Sequence, residues 1–521
     1  MNNKTNGNGG MSGFAHVAFC FLALLPLCLS SCGDWLDVRG ENTQKEADQF
    51  DSYKGFRTAL TGCYMLMGGR DCYGEKLTMT DVENLASLWR EESTSSSSTL
   101  ANDLTHHKYA EDEVRKAVNS MYDGLFTIIS SANVILKNIA EKGGNITDSK
   151  ARAVIEGEAY AIRAYCQFDL LRLFGQVPGG VRQVSLPYSY TTGIGELPAY
   201  YAFDDYVARL ESDIAKAESL LKDNDPVFGQ TFSQLNSVSS SVQDDFLYYR
   251  QSRLNYWAVR ALHARMSLYV GKTVEAHDIA MEIIGARGAD GDRLVALSGV
   301  GDLRDGYNGL PSECLFYLSK YDVNEYANDL LRGGRTGTEL SASGLTYVIS
   351  SDQLVDLYAS IPGATASHNR YINWWNRNSK DNFGNMVPAL KKYWYSTSAT
   401  DKSYDANTLM TKLQVIPMLR LSEIYLIAME TSNSLDEVLS LYASYMTACE
   451  YTLYTPFTSL EQARKEVLNE YRRELFGEGQ MFFAYKRNNS GSMLWNKDNI
   501  TEDDYIIPLP ATEYDPATLN K

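Results

Sequence analysis

Charged residues crowd two helical turns near the carboxyl end of the chain, at a spacing that could support acid–base chemistry. They are Glu470, Arg472, Arg473, Glu474 and Glu478. A glycoside hydrolase, for example, needs two carboxylates held at a defined separation across a cleft. The same residues could instead form a structural ion-pair network, which perturbs carboxyl groups as readily as an active site does. We favour the structural network, in which the charges hold the end of a helix on the turn that follows it.

A helix must carry these charges, and the surrounding sequence predicts where it lies. Ser459 and Gln462, three positions apart, form a capping-box pattern at its start. Apolar residues then recur every four positions from Ala463 to Leu475 and make one stripe. Gly477 supplies the stop, because glycine takes the left-handed turn after a helix without steric penalty. The charged residues are therefore expected to lie beside the core.

Several stretches of the sequence resemble signatures of the SusD/RagB family, whose members are outer-membrane nutrient-binding lipoproteins that sit on TonB-dependent transporters. The stretches are GEAYAIRAYCQFDLLRLFGQVP at 157–178, RLSEIYLIAME at 420–430, EYRRELFGEGQMFFAYKR at 470–487 and IIPLPATEY at 506–514. The resemblance covers nearly the whole chain after an apolar leader segment at residues 14–31. In the second stretch, Arg420 and Glu423 are expected to pair structurally.

The leader is an apolar segment at residues 14–31 that indicates a signal peptide. It contains no charge, is interrupted by Pro26 and has an apolar core too short to span a membrane. Leu29-Ser30-Ser31-Cys32 then matches a bacterial lipobox. This match predicts that the Cys32 thiol takes a diacylglycerol and that the new amino terminus is acylated, for example with palmitate, which gives a stable anchor. The alternative is an ordinary secretory signal followed by a chance cysteine.

Composition argues against several other classes of protein. The chain has a net charge of −17, from 65 acidic and 48 basic residues, and no basic block, which argues against nucleic acid as a partner. Cysteines and histidines do not occur at metal-ligand spacing, so neither a metal site nor a cofactor is predicted. Cys63 and Cys72 could pair across the loop between them. His106 and His107 are expected in solvent rather than at a metal.

Helical periodicity dominates the rest of the chain and predicts a mainly α fold. Apolar residues three and four apart mark one helix over 114–139, and a second is predicted over 149–174. A helical pair over 254–270 and 274–284 turns at Gly271, as in a tetratricopeptide hairpin. The predicted architecture is therefore a tetratricopeptide-like array of helical hairpins with a large loop-rich insertion, which the family resemblance identifies as a SusD-like fold. The predicted segments are a lipoprotein signal peptide (1–31), an N-terminal helical region (32–286), the insertion (287–416) and a C-terminal helical region (417–521).

The resemblance implies that ligand contacts come from early loops of the mature chain and from the insertion. In those zones the candidates are Tyr73, Trp89, Arg90, Tyr321, Tyr326 and Trp374. Trp89 is the strongest of them, because it precedes a Ser/Thr tract, an arginine follows it, and its surroundings lack an apolar period that would bury it. For most of the aromatic residues of the insertion we favour the hydrophobic core; they include Tyr371, Trp374, Trp375, Trp394 and Tyr395.

The resemblance also implies a function. It predicts a surface-exposed, lipid-anchored protein of the outer membrane that binds an oligosaccharide or polysaccharide and delivers it to a SusC-like TonB-dependent transporter. Some members of the family capture peptides, so a peptide ligand is the first alternative. A glycoside hydrolase is a weaker one, because the chain carries no hydrolase signature, and we expect no enzymatic activity. A tetratricopeptide scaffold for a protein segment would not explain the lipobox or the aromatic insertion.

Overall fold

The computed structural model describes residues 48–90, 99–193, 195–237, 242, 244–298, 300–335, 346–381, 384–396 and 404–514. The predicted signal peptide and the predicted lipidation site at Cys32 lie outside these residues, as does nearly all of the Ser/Thr tract after Trp89. Among the helices that are described, none is long and apolar enough to cross a membrane.

Long helices form the body of the molecule. They are α1 (Tyr53–Met67), α2 (Asp112–Lys142), α3 (Ser149–Phe174), α4 (Phe203–Lys222), α5 (Tyr256–Tyr269), α6 (Thr273–Gly285), α7 (Leu421–Thr431), α8 (Leu435–Ala448) and α9 (Leu460–Glu474). Shorter α-helices connect them: Asp81–Leu85, Leu100–Thr105, Phe232–Leu235, Val300–Asp305, Val323–Leu331, Ser351–Leu357, Ala364–Ser367, Asn369–Asn373, Ala406–Thr408 and Met481–Arg487.

Helices that are neighbours in the sequence pack on one another, α2 on α3, α3 on α4 and α5 on α6. Gly157 in α3 permits the close approach of α4, because a Cβ atom there would lie only 2.9 Å from Leu221 Cγ. Gly271 turns the chain between α5 and α6 at a φ of +83°, a conformation that glycine adopts without strain. The fold is thus the predicted mainly helical, tetratricopeptide-like array.

The described strands form two-stranded antiparallel sheets. β1 (Leu186–Tyr188) pairs with β2 (Ala199–Tyr201), β3 (Cys314–Ser319) with β6 (Val415–Arg420), and β4 (Trp375–Lys380) with β5 (Met386–Leu390). In the β4–β5 hairpin, Trp375 lies opposite Leu390 and Lys380 opposite Met386, with an irregularity between Asn376 and Ser379. This hairpin and the turn after β5 form one wall of the cleft described below.

Glu470, Arg473, Glu474 and Glu478 of the C-terminal signature are buried and form ion pairs, which agrees with the structural network rather than with an acid–base pair, whereas Arg472 is partly exposed and bonds to Asn469 and Tyr485. Arg420 contacts Glu313, Glu474 (2.6 Å) and Glu478 (2.7 Å), and its side chain is 1% exposed. Burial alone would raise the pKa of Glu474, but the nearby guanidinium groups of Arg370 and Arg420 outweigh it and hold that pKa below its usual range. No open cleft is needed to explain these carboxylates.

The expected pairing of Arg420 with Glu423 is wrong. Arg420 is the last residue of β6 and has extended backbone angles, whereas Glu423 lies in the first turn of α7. Glu423 instead pairs with Arg265 of α5 at 2.6 Å. Each of the two residues is structural, as predicted, but each has other partners.

The cysteines and histidines also differ from expectation. Cys63 and Cys72 are both buried and form no disulfide, as is true of every other cysteine among the described residues. His107 is buried rather than in solvent, and its Nε2 lies 2.9 Å from the Leu85 carbonyl oxygen. Within the described residues, no group of histidine, cysteine and acidic side chains is arranged to hold a metal ion.

Candidate ligand cleft

Trp89 lies in the hydrophobic core, so the exposure on which its prediction rested is wrong. Its side chain is 3% exposed, and its indole N–H donates to the Met79 carbonyl oxygen at 2.9 Å. The ring packs edge-on against Phe476, with centroids 4.9 Å apart, and lies 6.1 Å from the ring of Tyr347. Both rings come from distant parts of the chain, which is why the local sequence gives no sign of this burial.

Three other predicted ligand residues are buried as well, each with its polar atom satisfied. The Tyr73 hydroxyl donates to Asp169 at 2.6 Å, and the Tyr326 hydroxyl donates to the Gly74 carbonyl oxygen at 2.6 Å. The indole N–H of Trp374, a residue that is 1% exposed, donates to a backbone carbonyl oxygen at 2.9 Å. In this conformation, none of these three rings offers a face to a ligand.

The remaining two predicted residues reach the surface. Tyr321 is 78% exposed, and the ammonium group of Lys320 lies 5.7 Å from its ring centroid. Arg90 is partly exposed and pairs with Asp381, directly after β4, at 2.9 Å. Arg90 therefore lies close to the β4–β5 hairpin, while Tyr321 lies outside the cleft that this hairpin forms.

A cleft of about 450 Å³ opens beside the β4–β5 hairpin, and we call it the Trp394 cleft. Its lining residues are Gly333, Gly334, Trp375, Asn376, Arg377, Asn378, Lys391 and Trp394. The side chain of Trp394 is partly exposed in it, unlike that of Trp375, which is buried. A flat aromatic face together with convergent polar groups is the usual composition of a small-ligand site.

Backbone contacts and two glycines hold Trp394 in place. The Lys391 N–H donates to the Trp374 carbonyl oxygen at 2.7 Å, and the Trp394 N–H donates to the Lys391 carbonyl oxygen at 2.9 Å. A Cβ atom on Gly334 would lie 2.0 Å from Trp394 Nε1, and one on Gly333 would lie 2.5 Å from a backbone oxygen. Gly334 therefore leaves the space that the indole occupies, and Gly333 lets its segment of chain approach the backbone of Leu390.

The polar side chains of the cleft differ in how far they are already engaged. The Asn376 amide donates to the Arg335 carbonyl oxygen at 3.0 Å and accepts from the Asn378 N–H at 3.1 Å. The Arg377 guanidinium lies 5.3 Å from the Tyr371 ring centroid, and the Lys391 ammonium lies 5.7 Å from the Trp394 ring centroid. Within the described part of the chain, neither cation has a carboxylate partner, so both can bind a ligand.

Trp89 lies one layer behind this cleft. Its ring packs on Phe476, and Phe476 packs edge-on against Trp375 with ring centroids 5.1 Å apart. Trp375 in turn lines the cleft. Trp89 supports the lining residue Trp375 from inside the core.

Other concavities suit a ligand less well. The one at the α5–α6 turn, about 670 Å³, is lined by three acidic and two basic residues and by no aromatic side chain. A groove of about 350 Å³ beside Tyr249 contains two arginines, but Arg57 already pairs with Asp245, and Arg253 with Glu158. A third, of about 470 Å³, has a buried phenylalanine as its aromatic lining residue.

The residues that line the cleft were not among the ligand residues predicted from the sequence. Trp394 comes after Lys391, Lys392 and Tyr393, and Asn376, Arg377 and Asn378 follow the buried Trp375. Trp394 was grouped with core aromatics, and the structure confirms burial for Tyr371, Trp374, Trp375 and Tyr395 while leaving Trp394 partly exposed. Lys392 and Tyr393, which lie between Lys391 and Trp394, are both buried, so the local sequence held no signal for the exposure of Trp394.

Two protein-family models match this chain, one in its N-terminal half and one in its C-terminal part. Residues 34–266 match a family described as "Starch-binding associating with outer membrane". Residues 363–515 match the SusD family, also named SusD_RagB. No curated protein matches the chain.

Solved structures share the fold over most of its length. A SusD superfamily protein from Bacteroides thetaiotaomicron VPI-5482 aligns with a TM-score of 0.62 and 19% identity, over 89% of this chain and 98% of its own. A SusD-like carbohydrate binding protein from Bacteroides vulgatus ATCC 8482 aligns with a TM-score of 0.60 and 16% identity, over 84% of each chain. A laminarin binding SusD-like protein aligns with a TM-score of 0.59 and 16% identity, over 89% of this chain and 97% of its own. At these identities the likeness is one of fold.

Proposed function

This chain belongs to the SusD/RagB family, and from that premise we propose that it is an outer-membrane lipoprotein that binds a glycan in the Trp394 cleft and delivers it to a TonB-dependent transporter. Support comes from the family descriptions, one of which names starch binding and association with the outer membrane. The proteins with related folds include one named for carbohydrate binding and one named for laminarin binding.

The observation that carries the proposal is the partly exposed indole of Trp394 beside side chains that can still form hydrogen bonds. Sugar rings present a flat apolar face bordered by hydroxyl groups, so a site for them combines a stacking ring with nearby donors and acceptors. Asn378, Arg377 and Lys391 supply these groups around the Trp394 ring. Catalysis is not part of the proposal, because the carboxylates of the C-terminal signature are buried in ion pairs.

The test uses the soluble protein without residues 1–32. A glycan array identifies a ligand, and calorimetric titration then compares the wild type with Trp394→Ala. Loss of a stacking ring is worth about 1–3 kcal/mol by analogy with bases stacked on aromatic side chains, so affinity should fall about tenfold or more. The melting temperature should change little, since the ring is partly exposed.

Trp257→Ala is the matched control. Trp257 is also partly exposed, but it lies on α5 beside Phe228, outside the cleft. Its loss should leave the affinity unchanged. Unchanged affinity in Trp394→Ala would refute the cleft as the binding site, and a protein that binds peptides but no glycan on matched arrays would refute the ligand class.

Anchoring and delivery are separate parts of the proposal with their own test. The lipobox ending at Cys32 is the support for the anchor. Cys32→Ala should release the protein from the membrane fraction or stall its processing, and mature protein that still sediments with outer membranes would contradict this. Affinity purification from native membranes in mild detergent should recover a large β-barrel protein in near-equal amount, and recovery of the lipoprotein alone would count against delivery to a transporter.

A further inference from the structure

The charge of the Trp394 cleft is opposite to that of the chain as a whole. The chain carries 65 acidic and 48 basic residues. Among the described residues that line the cleft, by contrast, there are two cations, Arg377 and Lys391, and no carboxylate. A cleft lined by one sign of charge concentrates ligands of the opposite sign. The concavity at the α5–α6 turn, by contrast, is lined by residues of both charges, three acidic and two basic.

Lys391 is the more informative of the two cations. Its ammonium group lies beside the Trp394 ring, its side chain is partly buried, and it has no carboxylate partner among the described residues. Lys320 offers a direct comparison: its ammonium lies at the same 5.7 Å from the Tyr321 ring, but it also pairs with Asp322 at 3.2 Å. Lys391 has the aromatic neighbour without the counter-ion.

An uncompensated, partly buried cation is costly, because burial disfavours the charged form. Burial accordingly lowers the pKa of Lys391 from its usual value. An anionic group bound beside the ammonium would restore the charged form and form a charge-assisted hydrogen bond, which is about twice as strong as a neutral one. A neutral hydroxyl group would recover less of the cost.

We therefore propose that the glycan bound in the Trp394 cleft is anionic, with a carboxylate or sulfate group on Lys391 and with Arg377 adding positive charge to the same cleft. The proposal rests on the function proposed above. The indole stacks on a sugar ring, and the ammonium group selects a uronic acid or a sulfated sugar over a neutral one. Both chemistries place a compact anion next to a ring face.

The experiment pairs acidic polysaccharides with neutral versions of the same backbone. Polygalacturonate is compared with its carboxyl-reduced form, and chondroitin sulfate and hyaluronan with their desulfated or carboxyl-reduced forms. Starch, xylan and laminarin serve as neutral glycans on the same array. We expect the strongest binding to an acidic glycan and at least tenfold weaker binding to its neutralised partner.

Variants then assign the selectivity to Lys391. Lys391→Met should lower the affinity for the acidic glycan about tenfold and leave the affinity for the neutralised partner unchanged. Lys391→Arg keeps the positive charge and should keep most of the affinity for the acidic glycan. Lys320→Met is the matched control and should have no effect. If Lys391→Met does not fold, Lys391→Gln removes the same charge while keeping a polar side chain, and its comparison with Lys391→Arg on the acidic and neutralised partners measures the charge contribution.

The outcomes separate this inference from the function on which it rests. If a neutral glycan binds most tightly and Trp394→Ala abolishes that binding, glycan binding stands and the anionic ligand is refuted. Equal binding of an acidic glycan and its neutralised partner also refutes the anionic ligand. If acidic peptides bind and no glycan does, both proposals fail.

Discussion

Trp89 now carries a prediction opposite to the one made from its sequence context. Because its side chain is 3% exposed, truncation should destabilise the fold rather than weaken ligand binding. Deleting a buried tryptophan to alanine costs about 3–5 kcal/mol, since the cavity that remains refills only in part. The Met79 carbonyl oxygen would lose its indole donor at 2.9 Å, which adds about 1–3 kcal/mol if no water replaces it.

Trp89→Phe separates these two contributions. A phenylalanine keeps most of the contact with Phe476, at a present centroid distance of 4.9 Å, but it cannot donate to Met79. We therefore expect Trp89→Phe to cost about 1–3 kcal/mol, the range for leaving a buried acceptor unsatisfied. Trp89→Ala should cost distinctly more, because the cavity is added.

The assay is urea-induced unfolding followed by circular dichroism, with calorimetric titration of the ligand at a temperature where each variant is folded. The unfolding midpoint should fall in the order wild type, Trp89→Phe, Trp89→Ala. The affinity of the folded variants should change far less than that of Trp394→Ala, because Trp89 reaches the cleft only through Phe476 and Trp375. An unchanged midpoint together with a tenfold loss of affinity would refute the burial of Trp89 and restore it as a ligand residue.

Other perturbations test the charged core and the cleft. Arg420→Met leaves three buried carboxylates without their shared cation, so the free energy of unfolding in urea should fall by about 3–5 kcal/mol. Arg115→Met removes a surface ion pair and should lower it by less than about 1 kcal/mol. Equal unfolding midpoints for the two variants would contradict this. Burial raises the pKa of the Glu83 carboxyl from its ordinary value of 4.5 to about 8. Between these pH values the folded state keeps a proton that the unfolded state has lost. The contribution of Glu83 to the free energy of unfolding therefore falls by about 1.4 kcal/mol for each pH unit of increase. The melting temperature of Glu83→Gln should therefore rise relative to the wild type from pH 5 to pH 8, and a constant difference would refute the shift. Gly334→Ala places a Cβ atom 2.0 Å from Trp394 Nε1 and should displace the ring, which weakens ligand binding, and retained affinity would contradict that geometry.

Helices were predictable from the sequence because their signals are local. The apolar stripe over 114–139 became α2, and the cap at Ser459 became the start of α9, where the Ser459 side chain accepts from the Gln462 N–H. Both features depend on residues within one or two turns. The expected pairing of Arg420 with Glu423 was wrong because α7 begins only after Arg420, and Glu423 pairs with Arg265 of the distant α5.

The site was less predictable because burial of an aromatic side chain depends on distant residues. Tyr73, Tyr326 and Trp374 were predicted as ligand residues from their position in early loops and in the insertion. In the folded chain, the polar atom of each side chain finds one partner in the core, at 2.6, 2.6 and 2.9 Å respectively, and the ring is then free to be buried. Exposure of Trp394 likewise depends on a glycine pair some sixty residues earlier in the sequence.

The charged segment at the end of α9 contacts the stretch of chain that lines the Trp394 cleft. Lys392, next to Lys391, donates to the carbonyl oxygens of Glu474 and Phe476 at 2.9 Å each and to Glu478 at 2.6 Å. The hydroxyl group of the next residue donates to the Gly477 carbonyl oxygen at 2.6 Å. The turn after α9 therefore holds the backbone segment that carries Lys391 and Trp394. Phe476 of the same turn also packs against Trp375. In the proposed function, these buried residues hold the cleft in place, and the ligand is bound by side chains just outside them, Lys391 and Trp394.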